Sequence, residues 1–298
     1  MSYQYQSTNE IRLLAIGITR NGGFMLKKNI KSLLKLRKKF KQLDFYIYEN
    51  DSTDGTTEFL KSMAEKHEGF SFFSENIDEE KRSKIFTAQD EYGKPCRIEL
   101  ITYARNKLLE LVKPVAANYD YILNIDLDIL IQNTNQIAST FMRFKDKPFD
   151  CVSGCGMTKW LRYRDAYAFR APEFPYGPEF LSNYWWQTTM HQIQKRYRRG
   201  LIIPVWSAFG GAAIYKAEAY VSSEYNCNCD EEFLRLHEQL DKSKAGQDQN
   251  EHCSKVPVPN TGYTKPIICE HVPFHYKMQA NGFGKFYIDT SWRFIFKD

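Results

Sequence analysis

Asp126 and Asp128 stand two residues apart in the stretch 119–131, which is otherwise crowded with apolar side chains. A run that is apolar from both sides reads as a strand buried on both faces. Side chains at i and i+2 of a strand share a face, so the two carboxylates converge. Carboxylates left unneutralised beside an apolar core are costly. A hard divalent cation, Mn2+ or Mg2+, takes oxygen ligands and leaves positions open for phosphate. The competing reading is a strand end whose two acids face water or cap the next helix. Near the end of the chain, Glu270, His271 and His275 are set among apolar residues 267–275. An acid there could act on a hydroxyl, and His271 or His275 could complete a metal shell. Gly210 and Gly211, in the run Ser207-Ala208-Phe209-Gly210-Gly211, leave a backbone that a ligand can approach closely, or form a bulge.

Positioning these groups requires alternating strands and helices. Residues 11–18 read as a buried strand, followed by the turn Thr19-Arg20-Asn21-Gly22-Gly23. A helix is predicted over 24–43 from Leu26, Ile30, Leu33, Leu34 and Leu43. A second strand, 45–48, leads into Glu49-Asn50-Asp51-Ser52-Thr53-Asp54-Gly55-Thr56, which carries helix N-cap chemistry. A strand within 68–77, a charged loop over 78–97 and a helix over 98–112 precede the Asp-Leu-Asp strand. This order predicts an α/β fold with a Rossmann-like, mostly parallel central sheet flanked by helices. Ligands of such sheets sit at the carboxyl ends of strands, where Thr19, Arg20, Glu49, Asp126 and Asp128 all fall. Beyond residue 149 the chain turns rich in Tyr, Trp, Arg and Pro. A helix is expected near Tyr184-Trp185-Trp186, a strand over 202–206, and a loop-rich polar stretch over 222–262.

With 298 residues the chain can build a substantial core as one large domain or two fused halves. A net charge of +5 with dispersed basic residues argues against a nucleic-acid binder and suits a small anionic ligand. The aromatic share of 15% supplies ring faces for bases or sugars as well as core. No apolar run reaches the length of a membrane span, and residues 1–10 carry no signal-peptide core, so a cytoplasmic location is expected. The Lys/Arg side of the first helix leaves room for peripheral membrane contact, although a solvated helix face is the simpler reading. The seven Cys read as reduced thiols, with a disulfide among Cys227, Cys229, Cys253 and Cys269 the other option.

Together these stretches resemble a GT-A glycosyltransferase, the nucleotide-sugar-dependent class. Residues 49–56 are similar to its D-D-G-S-T-D-G-T loop, Tyr103-Ala104-Arg105-Asn106-Lys107-Leu108 to its A-R-N-x-G helix without the Gly, and Asp126-Leu127-Asp128 to its metal-binding D-x-D. A closer likeness runs through Arg97-Ile98, Arg164-Asp165, residues 204–211 and Cys269-Glu270-His271. It is to the fungal capsule-associated α-1,3-mannosyltransferases, which carry S-C-W-N-G and S-E-C segments at the last two places. This chain departs from both segments and retains a full D-x-D.

The resemblance implies a single GT-A domain over 1–298, with about 1–130 binding the nucleotide-sugar and about 131–298 the acceptor. It implies transfer of a hexose, mannose favoured, from a GDP- or UDP-sugar to a carbohydrate acceptor, with retention of anomeric configuration slightly favoured. Thr19, Arg20, Glu49, Asp51, Arg105 and Asp126 would contact the donor, with Glu49 at the place of the nucleobase-contacting acid. Asp126, Asp128 and His271 would hold the metal, with Asp128 the favoured direct ligand. Trp185, Trp206, Gly210 and Gly211 would meet the acceptor. Glu270, or its rival Asp248, would serve as base in an inverting reaction or stabilise the reacting face in a retaining one. Two other activities compete. A sugar-phosphate nucleotidyltransferase shares the fold but would open on a Gly-rich phosphate loop, which Gly17–Gly23 matches poorly. A non-catalytic carbohydrate-binding protein would not need both Asp126 and Asp128.

Overall fold

Every second residue of the first strand faces the same layer, and both layers are apolar. In β1 (Arg12–Thr19), Leu13 and Ala15 pack into one core while Leu14 and Ile16 pack into another, all at most 1% exposed. A strand buried on both faces must be covered by helices on both. The structure, a computed structural model, describes residues 5–165, 167–177, 199–242 and 262–296. After β1 come α1 (Gly23–Leu34), β2 (Gln42–Asn50), α2 (Thr56–Lys66), β3 (Phe70–Glu75), α3 (Glu79–Ile85), α4 (Arg97–Val112) and β4 (Tyr121–Ile125). They are followed by β5 (Ile131–Gln132), α5 (Asn135–Arg143), β6 (Cys151–Met157), β7 (Ile202–Pro204), β8 (Ala212–Lys216), α6 (Ala217–Val221), α7 (Glu231–Lys242), α8 (His271–Ala280) and β9 (Phe286–Ile295).

The strands form one sheet in the order β3-β2-β1-β4-β8-β6-β9-β5, with β7 also paired to β9. Their pairings set β3, β2, β1, β4, β6 and β9 in one direction and β8, β5 and β7 against it. The sheet is therefore mostly parallel and flanked by helices, the α/β class expected. Residues of α1, α2 and α5 (Leu26, Ile30, Leu60, Phe141) fill one core, and those of α4 and α8 (Leu108, Leu109, Phe274, Met278) fill the other. Full burial of one such side chain contributes about 1.5–3 kcal/mol.

Three boundaries differ from expectation. The first helix ends at Leu34, continues as a 3-10 turn over Lys35–Lys39, and gives way to strand at Gln42, because Leu43 is claimed by the sheet. Within 78–97 lies α3, started by the Asp78 side chain accepting from the Lys81 N–H. The stretch 222–262 contains α7, whose buried Phe233 and Leu236 pack with Tyr276 and Val272 of α8. Asp230 caps it, accepting from the Phe233 N–H at 2.9 Å.

Candidate active site

The Asp-Leu-Asp segment is not inside a strand. β4 ends at Ile125, the Asp126 N–H donates to the Gly211 carbonyl at 2.8 Å, and residues 127–128 form a turn. What holds this turn is a side chain: the Asn29 amide donates to the carbonyls of Leu127 and Ile129 at 2.9 and 2.8 Å. Leu127 and Ile129 are buried in the core, and Asp126 and Asp128 alternate with them at the carboxyl end of β4. Asp128 is exposed and Asp126 half-buried.

Arg105 joins the parts. Its position on α4 brings it against the end of β4, where it is 6% exposed. Nε lies 2.9 Å from Glu270 Oε1, a terminal nitrogen 3.5 Å from Asp126 Oδ1, and the other 3.4 Å from Asn124 Oδ1. The guanidinium carbon sits 4.8 Å from the Phe209 ring centre and 5.8 Å from that of Tyr225. Burial opposes its charge, but Glu270, Tyr225 and Asp126 outweigh that and keep Arg105 protonated. The neighbouring Asn106 exchanges two hydrogen bonds with the Tyr225 backbone, at 2.8 and 2.9 Å, fixing the ring that Arg105 faces.

Carboxylate exceeds cation at this site. Burial, the largest cause, raises the Asp126 carboxyl to about 7; Arg105 pulls the other way, and Asp128, Glu270 and Asp165 add to the rise. A half-buried acid short of positive charge, beside a second exposed carboxylate, is a donor pair that suits a hard cation completing its shell with water and phosphate oxygens. His271 sits beside Glu270, its Nε2 3.5 Å from Glu270 Oε1. Its ring stacks on Phe209 with centres 4.0 Å apart, both ring nitrogens are buried without a hydrogen bond, and burial, then Arg105 and His275, hold it neutral. Among the described residues no three His, Cys, Asp or Glu side chains converge to hold a metal ion.

The residues expected to contact the donor sit on or beside two interlocked loops. The Asn21 N–H donates to Ser52 Oγ, the Gly22 N–H to Thr56 Oγ1 and the Thr53 N–H to Asn21 Oδ1, at 2.8–3.0 Å, so the loops after β1 and β2 are tied together. Thr19 and the exposed Arg20 flank this junction. Asp51, with φ of 52°, is opposed by burial, yet the Ile77 N–H, Asn50 and Arg82 hold its carboxyl below the usual range, with Arg20 adding to them. Glu49 requires correction as a base contact. It is 1% exposed and accepts from the Ser52 N–H, Thr57 and Ser74, so it shapes the loop and offers no open oxygen.

The acceptor-side expectations also change. Trp206 is 4% exposed and belongs to a core with Tyr176, Phe233 and Leu236, so no ring face is presented to a sugar. Gly210 and Gly211 have φ of 65° and 91°. A side chain at Gly210 would meet the backbone of Gly154 and Gly156, and one at Gly211 the Phe296 ring. Internal packing, not ligand approach, demands glycine there. Trp185 and Asp248 lie outside the described residues. One residue without an assigned role proves central: Asp165 accepts the Phe209 and Gly210 N–H groups at 2.9 and 2.5 Å, pinning the loop whose Gly211 carbonyl holds Asp126. The pair Arg164-Asp165 was visible in the sequence, but its partner lies more than 40 residues away.

Cys227, Cys229 and Cys269 are free thiols, so none of the described cysteines forms the disulfide considered above; Cys253 lies outside the described residues. A cleft of about 790 Å3 lined by Arg12, Asp120, Lys147 and Lys216 lies at the amino ends of β1 and β4, the opposite end of these strands from Asp126. It contains none of these groups.

The mostly parallel sheet flanked by helices, with an acidic turn at the end of β4 and a basic residue bridging it to a distant acid, is an α/β fold of the GT-A class. Residues 13–255 match the family described as Cryptococcal mannosyltransferase 1, and the chain belongs to that family. No curated protein matches the sequence. Among solved structures, it is similar to the mannosyltransferase PcManGT from Pyrobaculum calidifontis in complex with GDP-Man and Mn2+. Identity there is 15% over 71% of this chain and 46% of that one, with a TM-score of 0.38. It is also similar to S. aureus TarS 1-349, at 10% identity, 96% and 60% coverage and a TM-score of 0.47. GalNAc-T7 with UDP, GalNAc and Mn2+ aligns at 12% identity, 97% and 44% coverage and a TM-score of 0.47. The chain spans about half the length of these solved proteins.

Proposed function

We propose that this chain is a metal-dependent glycosyltransferase that moves a hexose, mannose favoured, from a GDP- or UDP-sugar to a carbohydrate acceptor in glycan or polysaccharide assembly. The observation that carries the reading is the chain of contacts Asp126–Arg105–Glu270, with Asp128 two residues along, at the carboxyl end of β4 in a member of a mannosyltransferase family. Asp126 and Asp128 would hold Mn2+ or Mg2+ with the donor diphosphate. When bound, the cation would neutralise charge on the departing nucleoside diphosphate. Thr19, Arg20 and the loop around Asp51 line the donor side, and Arg105 orients Glu270.

Glu270, buried and paired, is the acid placed beside the reacting sugar. In a retaining transfer it stabilises the positive charge that develops at the anomeric carbon; in an inverting one it removes the acceptor proton. Retention is the favoured outcome, and anomeric-proton NMR on the first-formed product decides it. The donor half is assigned to about 1–130 and the acceptor half to about 131–298 of one domain. No described helix is long and apolar enough to cross a membrane, and the free thiols support a cytoplasmic setting.

The test is release of nucleoside diphosphate from a panel of GDP- and UDP-sugars with Mn2+, with and without oligosaccharide acceptors. Mn2+-dependent release that rises with acceptor is expected. No release from any donor would overturn the reading, and pyrophosphate-dependent formation of sugar phosphate would replace it with nucleotidyl transfer.

A further inference from the structure

β6 runs in the direction of β4 with only β8 between them, so the chain leaving β6 emerges at the Asp126 edge, roughly 10 Å across the sheet. It forms a tight hairpin there. Met157 pairs with Tyr163, the Thr158 N–H donates to the Arg162 carbonyl, and the Leu161 N–H donates to that of Thr158. Tyr163 is 2% exposed and anchors the base, whereas Trp160 and Leu161 at the tip are 82% and 66% exposed. Leu161 has φ of 57°, a left-handed conformation that disfavours a bulky side chain and would suit Asn or Gly. Neither folding nor burial accounts for a leucine here, and such outliers point toward function.

Charge gives the tip its partner. Lys159, Arg162 and Arg164 flank the two apolar residues and are exposed, and residues 158–164 contain no acid. Arg164 also lies over the Phe296 ring, 4.0 Å from its centre. The first acid beyond, Asp165, is turned inward onto the Phe209 and Gly210 N–H groups. On the other side of β4, at the end of β1, Phe24 is 74% exposed beside the exposed Lys27 and Lys28. This second point is the weaker one, since Lys27 lies over Phe59, Lys28 donates to the Leu130 carbonyl, and Asp54 accepts from Gly23. Tryptophan and leucine ringed by Lys and Arg match the interfacial layer of an anionic membrane, where the rings sit at headgroup depth and the cations meet lipid phosphates.

We propose that the 157–163 hairpin is a membrane-docking element that inserts Trp160 and Leu161 into an anionic lipid surface, with Phe24 as a second contact, and so sets the Asp126 edge against the bilayer. Lipid binding by this hairpin is independent of the transferase reading. The experiment is co-sedimentation of the full chain with phosphatidylcholine vesicles, with and without about one-third phosphatidylserine, at an ionic strength near 0.1 M. Binding to the anionic vesicles is expected, weakening about tenfold or more in Trp160→Ala and Leu161→Asn through lost apolar insertion. A Lys159→Glu/Arg162→Glu pair should weaken it by at least ~25-fold, about fivefold for each cation removed. Asn tolerates the left-handed tip, so Leu161→Asn keeps the fold, and thermal melting and nucleoside diphosphate release in vesicle-free solution should match the parent chain. Brominated lipid should quench a fluorescence component that is missing in Trp160→Phe. Absence of binding to anionic vesicles, or equal binding by Leu161→Asn, overturns the proposal.

Discussion

Two kinds of acid meet at this site, and they differ in what their removal does. Asp128 is exposed and contributes nothing to packing, so Asp128→Ala should change stability by less than about 0.5 kcal/mol. It should nonetheless abolish divalent-dependent binding of GDP or UDP, measured by calorimetric titration with Mn2+; unchanged affinity would refute its assignment as a ligand. Glu270 and Arg105 are both at most 7% exposed along their side chains and form one ion pair. Removing one partner strands the other, so Arg105→Met and Glu270→Gln should each cost about 3 kcal/mol in chemical denaturation. The double variant should recover part of that loss, because the stranded charge is gone. Transfer activity should not return with it. If the two single effects simply add, the pair is not coupled and Arg105 does not position Glu270.

The helix α8 shows how one element serves both core and site. His271 and His275, one turn apart, face the same way with ring centres 5.7 Å apart. His275 is fixed by Ser207 Oγ at 2.8 Å and the Tyr215 hydroxyl at 2.9 Å. Burial, then Arg105, lowers His275 to about 3, and burial, then Arg170, lowers His237 of α7 to about 4. An unfolded chain protonates both near 6.5, so between about pH 6.5 and 4 the unfolded state binds more protons and stability falls as pH drops. The slope should approach ~1.4 kcal/mol per pH unit for each group, levelling near pH 3–4, and His237→Gln should remove its share in urea titrations. A slope unchanged in that variant would mean that His237 is charged when folded. The loop between β7 and β8 offers a steric test. Gly211→Ala forces a side chain onto Phe296 at a left-handed backbone, which should destabilise by about 2 kcal/mol. It should also lower kcat, since the Gly211 carbonyl holds Asp126. Much of this was invisible in the sequence. Asp126, Asp128 and Glu270 stood out by type and setting and Arg105 through the family resemblance, yet a separation of 165 positions hides the contact of Arg105 with Glu270. Aromatic content misled at Trp206, because a ring that fills a core and one that stacks on a sugar look alike until burial is known. Glu49 misled likewise, since a loop-shaping acid and a base-contacting acid share one motif.

Across the whole molecule, alternating strands and helices made the first half readable. Local periodicity specifies β1, β2 and β4, and parallel order follows from the helical crossovers. The second half was harder, because β8 reverses direction and slots between β4 and β6 while β9 returns from far along the chain to pair with β6. No local pattern announces an inserted antiparallel strand. That insertion has a consequence for the protein's birth on the ribosome. Once Ile125 has been made, the hydrogen-bonding edge of β4, bearing the acidic turn, stays uncovered until Ala212 arrives. At about 5–20 residues per second that delay is on the order of ten seconds, during which a bare, apolar sheet edge can pair with anything extended. Nascent chains arrested near residue 200 should therefore be protease-sensitive and engage chaperones, and protection should appear abruptly once the chain has emerged past Lys216. Gradual protection beginning at residue 130 would show instead that the amino-terminal half closes its own edge.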